Sequence, residues 1–241
     1  MKRIFIFAAL IFAVNFCGAA TNDFFEKGLV AANAGNFSDA AVDFEKSVQR
    51  KPSSGALLNL GIAEWQRGHA GAAILAWERA QWIDPFDSRA TQNLKFARAV
   101  AELDAPESKW FEIASTWLPA DAWVWLAGAS LWLAAGALVL PRVFRWKRSG
   151  WQQTLAALGF SIFIFSMTAN FGVVSRTQIG FVVKKDAPLL LTPTREGEVI
   201  ATLTGGEAAR KLRTRGNYLL VRTSSALGWI AQEDFGLVSS P

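Results

Sequence analysis

The pattern of hydrophobic and polar positions changes twice along the chain, which indicates three kinds of structure. Residues 21–104 form helix-length segments separated by short breaks rich in glycine and asparagine. Two long uncharged apolar runs follow, at 122–140 and 149–175. From residue 180 the chain breaks into short β-like runs separated by glycine, proline and serine. We therefore predict a multidomain protein in which an all-α unit, a helical hairpin and a small all-β unit follow one another.

The first unit contains an internal repeat. An offset of 33 residues aligns five landmarks, namely Gly28 with Gly61, Ala40 with Ala73, Phe44 with Trp77, Ser47 with Ala80, and Pro52 with Pro85. Glycine and alanine allow two helices to approach closely, the aromatic residue fills the groove beside them, and proline ends a helix. The predicted helices are 22–34, 37–50, 54–67, 71–83 and 87–104, and the last of these would cap the array.

These landmarks resemble those of the tetratricopeptide repeat family, although Lys27 and Glu64 replace the usual Leu and Tyr. The resemblance implies an all-α solenoid over 21–104 whose first helices line a concave, mostly apolar groove. Such a groove suits an amphipathic helix or an extended apolar segment. The partner-binding residues would be Phe25, Leu29, Leu58, Ile62, Trp65, Arg89, Gln92 and Phe96. A plain helical bundle, in which these residues only pack between repeats, is the alternative.

The two apolar runs predict a transmembrane hairpin with helices at 122–140 and 151–174. The connecting loop, 141–148, carries four cations and no acid, which predicts a cytoplasmic loop. Those cations are Arg142, Arg145, Lys147 and Arg148. Residues 105–121 contain Trp110, Phe111 and Trp117 and are expected to form a linker or an interfacial helix.

The N-terminus has the features of a secretory signal peptide. Lys2 and Arg3 precede a short apolar run, and small residues end it at Ala20. We predict a signal peptide over 1–20, with an uncleaved membrane anchor as the alternative. Together with the cytoplasmic loop, cleavage after Ala20 predicts a bacterial inner-membrane protein whose two soluble units both lie in the periplasm.

The last unit, 180–241, resembles the bacterial SH3-like domain, a small all-β barrel of five or six strands. The resemblance lies in 198–203 followed by Gly206 and Glu207, in 216–222, and in 228–230. It implies that Tyr218 and Trp229 lie on a surface that could bind peptidoglycan stems or proline-rich segments, or that Trp229 is structural. The basic residues from Arg210 to Arg215 are expected to form a solvated face.

Composition gives little support for an enzyme or for nucleic-acid binding. Lys2, Arg3 and the four loop cations together exceed the formal charge of +5, so the basic balance reflects membrane topology. The single cysteine, Cys17, lies in the leader, and His69 is the single histidine. We therefore predict no catalytic residues, no metal and no cofactor, although an unfamiliar membrane enzyme or regulator remains an alternative.

The order of these units resembles the BatE-type aerotolerance membrane proteins. That resemblance implies a non-enzymatic scaffold within a membrane complex, with von Willebrand A-type Bat proteins as partners and any contact with a cytoplasmic MoxR-type ATPase indirect. The alternative is an envelope protein that binds peptidoglycan through its SH3-like domain. In both cases the protein also contacts the lipid bilayer.

Overall fold

A computed structural model of the protein describes residues 23–144 and 150–239. The predicted signal peptide, 1–20, therefore lies outside the described residues, as do Arg145, Lys147 and Arg148 of the predicted loop. The described chain consists of helices followed by a C-terminal antiparallel sheet, so it is a multidomain helical and β protein.

Five helices form the N-terminal unit, and polar caps fix where three of them begin. The side chains of Asn36, Ser53 and Asp87 accept hydrogen bonds from backbone amides in the first turns of the second, third and fifth helices. The helices are α1 (Asp23–Asn33), α2 (Phe37–Arg50), α3 (Ser54–Gln66), α4 (Ala70–Ile83) and α5 (Ser88–Ala101). Each begins and ends within three residues of its predicted bounds.

The same helix contact occurs twice, 33 residues apart. Gly28 of α1 packs on the ring of Phe44 in α2, and Gly61 of α3 packs on Trp77 in α4. A Cβ atom at either glycine would lie within 2.7 Å of the aromatic side chain, so only glycine fits. The sequence repeat is therefore also a structural repeat in helix packing.

Three further helices form the central unit. They are the short α6 (Trp110–Ser115) and two long helices, α7 (Ala120–Val143) and α8 (Gly150–Arg176). Both long helices are long and apolar enough to cross a membrane. They pack closely where Gly159 of α8 meets Ser130 and Ala134 of α7. Arg142 lies in the last turn of α7.

The C-terminal unit is a single antiparallel sheet. Its strands in the described chain are β1 (Ile179–Val182), β2 (Ala187–Leu190), β3 (Val199–Leu203), β4 (Ala208–Arg215), β5 (Tyr218–Arg222), β6 (Leu227–Ala231) and β7 (Phe235–Leu237). The order across the sheet is β3-β2-β6-β5-β4-β1-β7. The sequence predicts six short strands, at 181–183, 188–191, 198–203, 208–212, 218–222 and 228–231, which overlap β1 to β6. It does not predict β7, because three residues after a turn of 3-10 helix carry too little pattern.

The sheet packs directly on the N-terminal helices. Phe181 of β1 is fully buried in one hydrophobic cluster with Ile74, Leu94 and other residues of α3 to α5. Gly71 of α4 lies against the backbone of Val182, and a Cβ there would approach two carbonyl oxygens to 2.5 Å. The helical unit and the sheet therefore share a core, so α4 is covered by the chain's own sheet.

Candidate interaction surfaces

The faces of α3 and α5 that do not meet the sheet carry exposed apolar side chains. Ile62 is 39% exposed and Phe96 is 58% exposed. The rings of Trp65 and Phe96 meet edge to face with their centroids 5.7 Å apart, which joins the two helices. Because Ile62 and Trp65 are three residues apart on one helix, they share a face. We call Ile62, Trp65 and Phe96 the aromatic face.

The other predicted groove residues have different environments. Leu58 is buried in the core, next to Trp77, whose indole nitrogen donates to the Leu58 carbonyl at 3.1 Å. Phe25 and Leu29 are partly buried against the first repeat. Two polar members of the set, Arg89 and Gln92, are exposed. The structure therefore brings three of the eight predicted residues together as an apolar surface and places Leu58 inside.

Arg89 forms an ion pair at the start of its own helix, α5. Its guanidinium lies 2.8 Å from Asp87, the residue that caps α5. The hydrogen bond from the Arg89 side chain lowers the pKa of Asp87 below its ordinary value, so Asp87 stays ionised at neutral pH. Arg89 thus stabilises a helix end as well as facing solvent.

Tyr218 and Trp229 lie on the outer face of the sheet. Trp229 pairs with Leu220 and Tyr218 pairs with Ala231, so the two aromatic side chains are diagonal neighbours across β5 and β6. Both are partly exposed. The opposite face of these strands carries buried Leu219 and Ile230. Tyr218 and Trp229 are therefore half packed and half available to a ligand.

A buried polar cluster joins the three units, and sequence reasoning missed it. The carboxylate of Glu112 in α6 is fully buried. It accepts hydrogen bonds from the guanidinium of Arg210 in β4 at 2.9 and 3.1 Å, from the Ser175 hydroxyl, and from the Lys109 amide at 2.9 Å. Arg176 also donates to the Ser115 hydroxyl at 3.3 Å. We call Glu112, Ser115, Ser175, Arg176 and Arg210 the junction cluster.

Opposing effects set the charge of Glu112. Burial raises the pKa of this carboxyl, but the hydrogen bonds from Ser175, the Lys109 amide and Arg210 outweigh burial, so its pKa lies below the ordinary value. Glu112 is therefore an ionised buried group whose charge depends on partners from α8 and β4. The expectation of a solvated basic face was wrong for Arg210, because its charge is paired inside the protein.

Two further contacts extend the junction into the helical unit. The Arg176 guanidinium lies 4.9 Å from the ring centroid of Trp82 near the end of α4. Beside it, Glu78 of α4 forms a buried ion pair with Arg98 of α5. Burial raises the pKa of Glu78, and Arg98 offsets this only in part. The end of α8 is thus held by both the helices and the sheet.

Comparisons with known proteins leave these surfaces without a family assignment. No protein-family model matches the chain, and no curated protein matches it. The structure itself shows a chain with two helices that could cross a membrane, hydrogen-bonded at Ser175 and Arg210 to the rest of the chain, in which a helical repeat and a sheet share one core.

Proposed function

We propose that this chain is a non-enzymatic scaffold of the bacterial inner membrane that binds a protein partner through the aromatic face. In this proposal the helical unit is a tetratricopeptide array, the sheet is an SH3-like barrel, and both lie in the periplasm. The complex would be of the BatE type, with a von Willebrand A-type Bat protein as the partner. Contact with a MoxR-type ATPase would be indirect.

The single observation that carries the proposal is the asymmetry of the helical unit. One side, formed by α4, is buried under the sheet, whereas Ile62 and Phe96 on α3 and α5 keep apolar area in contact with solvent. Apolar area costs free energy when hydrated, at about 25 cal/mol per Å². A partner that covers the aromatic face recovers that free energy.

The shape of this surface favours a helical or extended apolar partner segment. Trp65 supports Phe96 from below, since it also packs on buried Trp77 with ring centroids 6.0 Å apart. Val100, one helical turn after Phe96, is exposed on the same side and lengthens the apolar strip along α5. Aromatic side chains held in place by their own core bind with little loss of conformational entropy.

The test compares matched charge insertions in the full chain. Ile62→Asp and Phe96→Asp each bury an unpaired carboxylate on binding, so each is expected to weaken partner binding at least tenfold. Val42→Asp is the control, because Val42 is a similarly exposed apolar residue on α2, outside the aromatic face. Trp65 is unsuitable, since truncation would also leave a cavity beside Trp77.

Binding is measured by co-purification of the von Willebrand A-type Bat protein from membranes of the same cells, with helical circular dichroism as the folding check. We expect both aromatic-face variants to lose the partner while the Val42→Asp variant retains it. Equal recovery of the partner with all three variants would contradict the assignment of the aromatic face as the partner-binding surface.

A further inference from the structure

The hairpin that joins β4 and β5 begins at the level where α8 ends. The charge-free run of α8 stops at Arg176, and β1 starts at Ile179. Arg210 of β4 lies opposite Ile179 in the sheet and donates to the Ser175 carbonyl at 3.1 Å. Arg210 is therefore level with the last turn of α8.

From this level β1 and β4 run in opposite directions. At the end of β1, Val182 packs beside Gly71 in the first turn of α4, whereas Trp82 at the other end of α4 contacts Arg176. Thus β1 leads away from the end of α8. Because β4 is antiparallel to β1, its residues after Arg210 continue past that end. At about 3.3 Å per residue, they reach up to about 16 Å further.

Helix α6 lies on the side of the α8 end towards which β4 continues. It packs beside α8, with Phe111 against Phe171 at a centroid distance of 5.3 Å. Trp110, the first residue of α6, and Trp117, just after its end, are 67% and 59% exposed. Exposed tryptophans beside the end of a membrane-spanning helix are typical of the interface between lipid and water. The β4–β5 hairpin therefore emerges at the membrane surface.

The hairpin carries charges that have no carboxylate partner among the described residues. We call residues 211–218 the basic hairpin. Its cations are Lys211, Arg213 and Arg215, and within 23–144 and 150–239 the ion pairs of β4 involve Arg210 alone. Leu212 stands at a β-bulge and is 45% exposed. A bulge turns its residue out of the regular strand pattern.

The hairpin also offers an aromatic side chain next to these cations. Tyr218 pairs directly with Arg215 across β4 and β5, and Leu220 pairs with Arg213. Residues that pair across two strands project on the same face of a sheet. This face therefore combines cations with apolar groups, which complements the boundary between anionic phosphate headgroups and apolar acyl chains.

We propose that the basic hairpin binds the headgroups of anionic phospholipids in the same bilayer that α7 and α8 cross. Arg213 and Arg215 hydrogen bond to lipid phosphates, since guanidinium forks match phosphate geometry. Leu212 and Tyr218 enter the adjacent apolar boundary. Together with the junction cluster, this second attachment fixes the tilt of the sheet on the membrane.

The test uses the full chain in lipid nanodiscs with an environment-sensitive fluorophore. The label is attached at Thr214→Cys in a Cys17→Ser background, or at Ser224→Cys as the control position. Ser224 is exposed in the loop after β5, at the opposite end of the same strands. Discs of phosphatidylcholine alone are compared with discs that also contain phosphatidylglycerol.

In anionic discs we expect the label at position 214 to emit at shorter wavelength and to be shielded from iodide. The label at position 224 should respond equally in both kinds of disc. The double variant Arg213→Gln, Arg215→Gln should lower the ratio of bound to free hairpin by about fivefold per arginine. The matched control, Arg195→Gln with Arg222→Gln, removes the same charge away from the hairpin and should change nothing.

Three results would overturn the proposal. The first is iodide access at position 214 equal to that at 224 in anionic discs. The second is shielding that is equal in neutral and anionic discs, or that survives the double variant and high salt, which screens such attraction. The third is the same shielding in detergent without phospholipid, because a protein contact would then cover the hairpin.

Discussion

Replacing Glu112 by Gln should loosen the attachment of the sheet to α6 and α8. The substitution keeps the size of the side chain but removes the charge that accepts two hydrogen bonds from Arg210. It also leaves the Ser175 hydroxyl and the Lys109 amide with a weaker, neutral acceptor. The Arg210 charge would then lie partly buried without a counter-ion.

The size of the expected loss of free energy depends on how deeply Glu112 and Arg210 are each buried. Removing one member of a buried ion pair costs about 3–5 kcal/mol. Arg210 retains 28% of its side-chain exposure and can regain some water, and glutamine keeps one acceptor oxygen. We therefore expect a loss of about 2–3 kcal/mol in the free energy of opening the junction, which corresponds to about 30- to 150-fold more frequent opening.

Hydrogen–deuterium exchange of the full chain in nanodiscs measures this opening. The amides of 108–116 and 208–213 should exchange faster by that factor in the Glu112→Gln variant, while the amides of α2 should not change. Asp23→Asn is the control, because it breaks an exposed pair with Lys27 and should cost under about 0.5 kcal/mol. In a double-mutant cycle, the variant Glu112→Gln with Arg210→Met should regain most of the free energy that Glu112→Gln alone loses.

The pH dependence of the stabilisation by Glu112 gives an independent check, and its direction is defined. The folded-state pKa of Glu112 lies below its ordinary value of 4.5, so its stabilising effect is complete above pH 4.5 and is lost as the pH falls through the lowered folded value. The difference between wild type and Glu112→Gln should therefore shrink only below about pH 4.5. Equal protection of the two proteins at pH 7.5 would refute this account of the junction.

The remaining predictions concern the helical unit. Gly61→Ala should destabilise it by about 1–3 kcal/mol, because the new Cβ would lie 2.4 Å from the Nε1 of Trp77, and a drop in melting temperature checks this. Gly55→Ala is the control, since its Cβ meets nothing within 4 Å; an equal drop in both variants would contradict the packing explanation. Asp87→Ala should cost about 1 kcal/mol by removing the cap of α5, detectable as faster amide exchange in its first turn.

The helices were predictable because their signals are local. The charge-free runs required two long apolar helices, and Gly28, Gly61, Phe44 and Trp77 repeat at one offset with the contacts that this offset predicts. Such features depend on residues close in sequence or on a period, so they can be read without knowing the tertiary structure. The strand runs were predictable for the same reason, apart from β7.

The sequence by itself determined where the helices and most strands lie, and it singled out Ile62, Trp65 and Phe96. Only the tertiary structure decided that Leu58 is buried, that the sheet packs on α4, and that Glu112 pairs with Arg210, 98 residues away. An isolated acidic residue and an isolated basic residue far apart in sequence give no indication that they are close in space. Their pairing depends on how three separately predictable units pack against one another, and that packing is fixed by side-chain shape instead of by period.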